Sequence, residues 1–218
     1  MMRRIPPSQR REELIAAAIR VIARSGVAAA TTRAIVTEAQ MPLGAFHYIF
    51  ENHDELMSAV VEAVTEQERF VAETRSVDAT SVQAALLSGL NGYIDLLAAE
   101  PERELALLEL GLFARRQDAD GQMRTQWESY FGTAAEVLQY AAELTRTRWT
   151  APLPDLARLL VASLDGITLG WLADHDTAAA RRTAAFVARA LAVYADSPDA
   201  GGTTAVSRVA REPRPDDD

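Results

Sequence analysis

Arginine residues are concentrated at one end of the chain. Residues 1–50 hold seven arginines and only three acidic residues, although the whole chain of 218 residues has a net charge of −9 at pH 7. Clustered guanidinium groups can replace the counterions that condense on a polyanion. This asymmetry indicates that the first part of the chain meets a polyanion and that the remainder does not.

The residue types exclude several kinds of chemistry. Cysteine is absent, which rules out disulfides, thiolate metal sites and cysteine nucleophiles. The sequence contains no nucleophile and base constellation, no paired carboxylates at motif spacing and no phosphate-cradling glycine loop. We therefore expect no enzyme, no cofactor and no metal. The rival interpretation is a helical enzyme, and turnover of a ligand would support it. His175, between Asp174 and Asp176, is interpreted as a surface turn residue in preference to a metal ligand.

Aromatic and methionine residues recur in the apolar stretches of the later sequence. Such side chains line pockets between helices when a few polar groups converge on them, and they equally form plain core. Glu109 or Asp165 could select a cationic or hydroxylated ligand, or could cap a helix or face solvent. The predicted pocket residues are Tyr93, Glu109, Phe113, Met123, Trp127, Tyr130, Phe131, Asp165 and Trp171.

Helical periodicity describes the elements that must position these residues. The first helix is expected from about Ser8 to Ser25, ended by Gly26. Thr31 is the natural N-cap of a short second helix, and the break at Met41–Gly44 precedes a short third one. Long amphipathic helices follow, without strand alternation. Their expected ranges are about 53–75, 80–99, 102–116, 120–147, 154–173 and 177–196.

The spacing in the segment from Gly26 to Phe50 resembles the DNA-binding signature of the TetR family of transcriptional regulators. The resemblance is strong over roughly residues 10–60. Beyond that range, only Leu164–Gly166 is similar to the family's C-terminal domain. The matching anchors are Gly26, Thr31, Ile35, Ala39, Gly44, Phe46 and Phe50, followed by Asn52–Leu56 at the start of the fourth helix.

Two short helices that cross through a tight turn can set the second one in the major groove of DNA. The resemblance implies that the third helix reads the DNA and that the start of the second helix approaches the backbone or a groove edge. Hydrogen-bonded base reading then falls largely on Arg33, Thr37 and His47. The expected DNA-binding residues are Thr31, Thr32, Arg33, Thr37, Leu43, Gly44, Ala45, His47, Tyr48 and His53.

Three residues depart from the family pattern. His47 stands where tyrosine is usual, Ile49 where a polar aromatic residue or histidine is common, and His53 where a lysine is usual; each weakens an expected phosphate contact. We hypothesise that the two histidines, when protonated, make charge-assisted phosphate contacts. A rival is a protein that keeps the fold but has lost strong operator binding. The first arginines of the chain form either an arm that enters the minor groove or a solvated end. They are Arg3, Arg4, Arg10 and Arg11.

The last two helices are predicted to form a two-fold, four-helix dimer interface. Two glycines four residues apart allow a close approach of helices, either within one chain or between copies. The final helix is apolar around much of its circumference, as a helix buried on two sides requires. The expected interface residues are Gly166, Gly170, Phe186, Val187, Ala190 and Tyr194.

The sequence therefore predicts an all-α protein of about nine helices. We expect a three-helix DNA-binding domain with a helix-turn-helix over 1–52, a helical effector-binding and dimerisation domain over 53–196, and a disordered tail over 197–218. No apolar stretch approaches the roughly 20 residues of a membrane span, and the start lacks a secretory signal, so we expect a cytoplasmic protein without a membrane partner.

The resemblance implies a ligand-responsive regulator, a repressor in preference to an activator. The homodimer would bind a near-palindromic operator in double-stranded DNA, with half-sites about 34–36 Å apart or a multiple of that. A small-molecule effector of unknown identity would release it.

Overall fold

The computed structural model describes residues 6–117 and 122–196, and the side chains of all of these except 114–117, 122–127 and 129. Within these ranges the chain forms nine α-helices, which confirms the expected all-α class. The predicted disordered tail, together with Arg3 and Arg4, lies outside the described residues. The helices are α1 (Pro7–Ser25), α2 (Thr32–Glu38), α3 (Leu43–Ile49), α4 (His53–Ser76), α5 (Val82–Ala99), α6 (Pro101–Gln117), α7 (Gln122–Leu144), α8 (Leu153–Asp174) and α9 (Thr177–Ala192).

The ends of α1 and the start of α2 follow from local chemistry. Pro7 stands at the first turn of α1, where its missing N–H has no helical partner to lose. Gly26 ends the helix with φ of 77°, a backbone conformation that L side chains rarely adopt. A single 3₁₀ turn, Val27–Ala29, follows. The Thr31 hydroxyl then accepts from the Ala34 amide at 3.2 Å and caps α2.

The first three helices form a compact unit around buried aromatic and aliphatic side chains. The turn between α2 and α3 passes through Gln40, whose φ is 55°, and the Met41 amide donates to the Val36 carbonyl at 2.8 Å. Phe46 of α3 and Ile35 of α2 are 1% and 0% exposed. Burial of these two side chains fixes the angle at which α3 leaves the turn.

The hydrophobic core of this N-terminal unit extends across the expected domain boundary at residue 52. Leu56 and Val60 of α4 belong to it, and so do Ala106 and Leu110 of α6. Helix α6 packs against α1 and against the 3₁₀ turn. The later helices are therefore joined to the N-terminal unit by shared side-chain packing as well as by the continuous chain.

Helices α4 to α9 form the larger bundle. Helix α5 packs on α4 and α9, and α7 packs on α8 and α4. A second core lies among α5, α7, α8 and α9, built on side chains such as Ile94, Leu97, Leu138 and Leu191, each fully buried. Leu107 of α6 packs against both cores.

Two helix ends differ from the expected ones because a short strand pair intervenes. Helix α7 stops at Leu144 and Arg146 takes a φ of 53°. Strand β1 (Arg148–Trp149) then pairs antiparallel with β2 (Ala195–Asp196), and α9 accordingly ends at Ala192. The expectation that the last helix runs to 196 was wrong, since two-residue strands carry no alternation that a sequence pattern could show.

Helix α8 also corrects the expectation that no apolar stretch approaches membrane-spanning length. Its 22 residues are long and apolar enough by composition, with a mean hydropathy of 1.4 over the best window, and 44% of that window is buried inside the protein. A core helix of a soluble bundle meets the same criteria. The chain thus places one apolar face of α8 against the second core.

Candidate nucleic-acid interface and interhelical cavity

Helix α3 presents one face to the interior and the other to solvent. Phe46 is buried, and its ring lies 5.7 Å from that of Phe50. On the outer face Tyr48 is 69% exposed and Leu43 41% exposed, and Gly44 and His47 are exposed too, with Ala45 half-buried. The residues predicted to face DNA on this helix therefore lie on one accessible surface.

The start of α2 borders the same surface. Arg33 and Thr37 are exposed and Thr32 is half-buried. The Thr37 hydroxyl donates to the Arg33 carbonyl at 2.8 Å, and the Thr31 hydroxyl is used as the cap. Among the residues that the structure describes, Arg33 forms no ion pair. Its guanidinium is thus available to an anionic partner.

His53 occupies a different position from the other predicted contacts. Its side chain is half-buried, and Nε2 lies 2.7 Å from the Ala30 carbonyl oxygen. This hydrogen bond joins the start of α4 to the loop before α2. The neighbouring Asn52 caps α4 by accepting from the Glu55 amide at 2.9 Å. Nε2 is therefore engaged within the protein, and only the other ring nitrogen could reach a phosphate.

Some of the positive charge that the sequence concentrates near the N-terminus is paired within the protein. Arg20 and Arg24 of α1 both bind the Glu38 carboxylate, at 2.9 and 3.0 Å. Hydrogen bonds from these two guanidinium groups lower the pKa of Glu38 below its ordinary value. Arg11 lies 3.7 Å from Glu62. The pairing ties α1 to α2 and leaves fewer cations for a polyanion than the residue count indicates.

A cavity of about 60 Å³ lies between α4, α5, α7 and α8. This is room for roughly four water molecules, so a larger ligand must push the surrounding helices apart. Most of the lining is apolar, and the polar exceptions include a carboxylate and three tyrosines. Charged and aromatic side chains of the lining are Glu68, Arg69, Tyr93, Tyr130 and Tyr140.

Three acidic side chains from three helices approach one another beside this cavity. Glu104 of α6 is 5% exposed and accepts a hydrogen bond from the Tyr93 hydroxyl at 2.9 Å. The same hydroxyl also bonds to Thr168 of α8. Glu68 of α4 lies close enough to Glu104 for the two carboxyl groups to share a hydrogen bond when one of them is protonated, and Asp165 of α8 lies close enough to repel both.

Burial sets the protonation of these groups. It raises the pKa of Glu68 well above the ordinary 4.5, and repulsion from Glu104 and Asp165 adds to the effect. Burial also raises the pKa of Glu104, against the opposing effect of its bond from Tyr93, and the pKa of Asp165. Two carboxylates this close repel each other unless one is protonated, and the raised pKa of Glu68 favours the neutral form of that group.

The predicted pocket residues are divided among several places. Tyr93 and Tyr130 line the cavity and Asp165 lies beside the carboxyl pair. Glu109 lies near Gly26, with Oε2 at 3.9 Å from where a Cβ would stand, and Phe113 packs on the N-terminal core. The structure does not describe the side chains of Met123 and Trp127.

Two further aromatic residues of the predicted pocket have other partners. Phe131 is partly buried against the second core, with the Arg158 guanidinium 4.5 Å from its ring centre. Trp171 donates from Nε1 to the Thr177 hydroxyl at 3.0 Å and packs against His175, which ends α8 in a left-handed turn. Neither Phe131 nor Trp171 is among the lining residues of the cavity.

Glu68 and Glu104 were not predicted from the sequence. Glu104 stands in the first turn of α6, where acidic residues ordinarily favour the helix dipole. Glu68 could have been found from the sequence pattern. It shares a helical face with Val61 and Val64, which lie seven and four residues earlier and are both buried. An acidic residue in an apolar stripe indicates a buried polar site.

The predicted dimer residues lie on α8, on α9 and in the turn after α9, and most of them are exposed. Phe186 is 66% exposed and Tyr194 44% exposed, Ala190 is exposed and Val187 half-buried. Gly166 and Gly170 of α8 are exposed, and a Cβ at either position would meet nothing within 4 Å. Leu169, between them, is 58% exposed. This surface, the α8–α9 face, is apolar and uncovered in the single chain.

Comparison with known proteins agrees with the arrangement of the first four helices. Residues 14–60 match the family model described as bacterial regulatory proteins, tetR family. The HTH-type nicotine-responsive transcriptional repressor HdnoR of Paenarthrobacter nicotinovorans is 34% identical over 173 residues, which are 78% of this chain and 88% of that protein.

Solved structures show the same fold over most of the chain. A TetR-family transcriptional regulator from Rhodococcus sp. superposes with a TM-score of 0.72 at 20% identity and covers 85% of this chain and 99% of its own. The multidrug binding protein EbrR, complexed with imidazole, gives a TM-score of 0.57 at 28% identity, over 82% of this chain and 94% of its own. With the helix-turn-helix geometry, the family match and the similarity to HdnoR together, the chain belongs to the TetR family of transcriptional regulators.

Proposed function

We propose that the protein is a ligand-responsive repressor, a homodimer that binds a near-palindromic operator and is released when a small molecule occupies the cavity. The name of the HdnoR relative supports repression and a response to a small molecule. A regulator of this family is expected in the cytoplasm, and no step of the proposed mechanism requires catalysis.

The single observation that carries the proposal is the position of α6. Glu104 on this helix lies beside the cavity, while Leu110 lies in the core of the N-terminal unit. Six residues along an α-helix span about 9 Å. A ligand that displaces the first turn of α6 must therefore disturb a helix that packs directly on α1 and on the turn before α2.

On the DNA side, the proposal assigns base and phosphate contacts to the exposed face of α3 and the start of α2. Tyr48 and His47 project from α3, and Arg33 projects from α2. Paired copies of α3 would enter successive major grooves about 34–36 Å apart. Rotation of α1 and α2 by a moving α6 would change that spacing and lower operator affinity.

The α8–α9 face supports the dimer. Exposed Leu169, Phe186 and Tyr194 would each gain by removal from water, at about 25 cal/mol per Å² of apolar surface buried. The two open glycine positions would let the α8 helices of two copies approach closely. A monomer in light scattering at micromolar concentration would contradict this part of the proposal.

The test combines operator selection with ligand release. DNA bound by the purified protein is selected from a random pool, and fluorescence anisotropy then measures affinity for the enriched duplex and for the DNA upstream of the protein's own gene. Metabolites are screened for those that lower this affinity. Binding that discriminates no sequence even at low salt would refute the operator claim, and a screen without any releasing compound would refute the sensing claim alone.

A further inference from the structure

The carboxyl groups beside the cavity lack a positive partner among the described residues. Arg69 lines the same cavity, but its guanidinium is paired with Glu66 at 2.9 Å, Glu73 at 3.3 Å and Glu136 at 4.0 Å. Arg103, next to Glu104, is paired with Glu100 at 3.1 Å. The charge of Arg103 lowers the pKa of Glu104, but among the described residues no basic side chain forms an ion pair with Glu68, Glu104 or Asp165.

One oxygen of the cluster also lacks a hydrogen bond. Oε1 of Glu68 is enclosed by protein and has no partner among the described groups, although the Glu68 residue as a whole is only partly buried. Buried acceptors are satisfied in nearly all native structures, and leaving one unpaired destabilises the protein. Glu68 lines the cavity, so a donor placed in the cavity would satisfy it.

Aromatic rings from two other helices line the same cavity as Glu68. Tyr93 of α5 and Tyr130 of α7 are both buried and line the cavity. The negative ring face of tyrosine attracts a cation within about 6 Å. Carboxylates together with tyrosine rings make a site for a positively charged group that carries an apolar body.

We propose that the cavity binds an organic monocation, an amine with one positive charge, whose ammonium group donates to Glu68 and Glu104 while its apolar body lies against Tyr93 and Tyr130. This inference rests on the proposed ligand-responsive function and names the chemical class of the effector. Nicotine, in the name of the HdnoR relative, is an amine of this class.

The same geometry makes binding an exchange of a cation for a proton. In the unliganded protein, the O–H of a protonated carboxyl group bridges Glu68 and Glu104. When the ammonium N–H takes that place, the carboxyl O–H bond breaks and the proton leaves to solvent, so one proton is released for each cation bound. The other titratable and charged groups near the pair are Tyr93 from α5, Arg103 from α6, Tyr130 from α7, Asp165 from α8 and Arg69 on α4.

Matched ligand pairs test the charge requirement on the wild-type dimer by titration calorimetry. One pair is nicotine and its neutral lactam analogue cotinine, and the other is N,N-dimethylbenzylamine and N,N-dimethylbenzamide. We expect at least one amine to bind and its neutral analogue to bind much more weakly. Heats measured in phosphate and in Tris should report close to one proton released, and affinity should rise by up to about tenfold per pH unit while the carboxyl pair is still protonated.

Two variants test whether amine binding and proton release depend on Glu68. Glu68→Gln keeps the shape but cannot ionise, so we expect it to lose about tenfold to a hundredfold in amine affinity, the range for a charged hydrogen bond, and to release no proton. Glu62→Gln is the matched control on the same helix, because Glu62 is exposed and is not among the lining residues of the cavity, so the affinity of this variant for the amine should not change. Circular dichroism checks the fold, and Glu104→Gln replaces Glu68→Gln if the latter does not fold.

The outcomes separate this inference from the proposed function. If the neutral analogues bind as tightly as the amines, if no amine binds, or if binding releases no proton, the inference is overturned, and a neutral compound that releases the operator would leave the function intact. If amines bind with proton release and operator affinity does not change, the sensing function fails and the cation site stands.

Discussion

Leu110→Ala tests whether α6 is fastened to the N-terminal unit as the packing indicates. Leu110 is 5% exposed in the N-terminal core, beside the fully buried Ala106. The substitution removes three buried carbons, worth about 0.8 kcal/mol each by transfer, and leaves a cavity that adds to this loss. Since measured Leu→Ala losses run from about 2.7 to 5.0 kcal/mol, we expect a loss of about 3 kcal/mol in the free energy of unfolding.

Leu112→Ala is the matched control, because it makes the same change on the same helix where the side chain is 61% exposed. Surface substitutions of this kind change stability by no more than about 0.5 kcal/mol. Urea unfolding is followed by circular dichroism at one fixed protein concentration, since the stability of a dimer depends on concentration. Equal losses for the two variants, or a loss under about 1 kcal/mol for Leu110→Ala, would show that α6 is not anchored there.

Three further measurements address the DNA surface, the dimer and the acidic cluster. Arg33→Ala should weaken operator binding and reduce the dependence of log affinity on log salt by about one, whereas Arg148→Ala, exposed in β1 far along the chain, should change neither. Phe186→Asp should give monomers in light scattering, whereas Phe70→Asp, with the same 66% exposure on α4, should remain dimeric; two dimers would reject the α8–α9 face. The unliganded protein should lose stability as pH rises above about 4.5, because burial raises the pKa of Glu68 in the folded state and the fold then holds a proton that the unfolded chain gives up. The melting temperature of Glu68→Gln should fall less steeply with rising pH than that of the wild-type protein. Parallel curves for the two proteins would show that Glu68 is not the group responsible.

The helices could be predicted because their ends are set by local chemistry. Gly26 can take a positive φ, and the Thr31 side chain caps its own helix, so neither depends on distant contacts. The strand pair depends on them entirely. Arg148 pairs with Asp196, 48 residues later in the chain. Neither two-residue strand has a sequence feature that indicates the other as its partner.

The candidate site was harder to predict, since burial of an acid is decided by which helices meet. Asp165 was identified from its apolar neighbours and lies beside the carboxyl pair. Glu109 has a similar sequence environment, but its face of α6 turns towards Gly26. His53 shows the same limit of sequence-based prediction. Its Nε2 is hydrogen-bonded to the Ala30 carbonyl oxygen, and this contact is visible only in the folded loop.

The two halves of the proposed mechanism constrain one another through Glu104. A ligand changes operator affinity only to the extent that it prefers one arrangement of α6 over another. In the unliganded arrangement Glu104 accepts a hydrogen bond from Tyr93 and lies next to Glu68, beside a cavity too small for a ligand larger than a few waters. A cation that enters must both widen the cavity and replace the bridging proton. The difference in affinity between the two arrangements therefore arises where the first turn of α6 meets α4, and Leu110 carries the displacement to the DNA-binding helices.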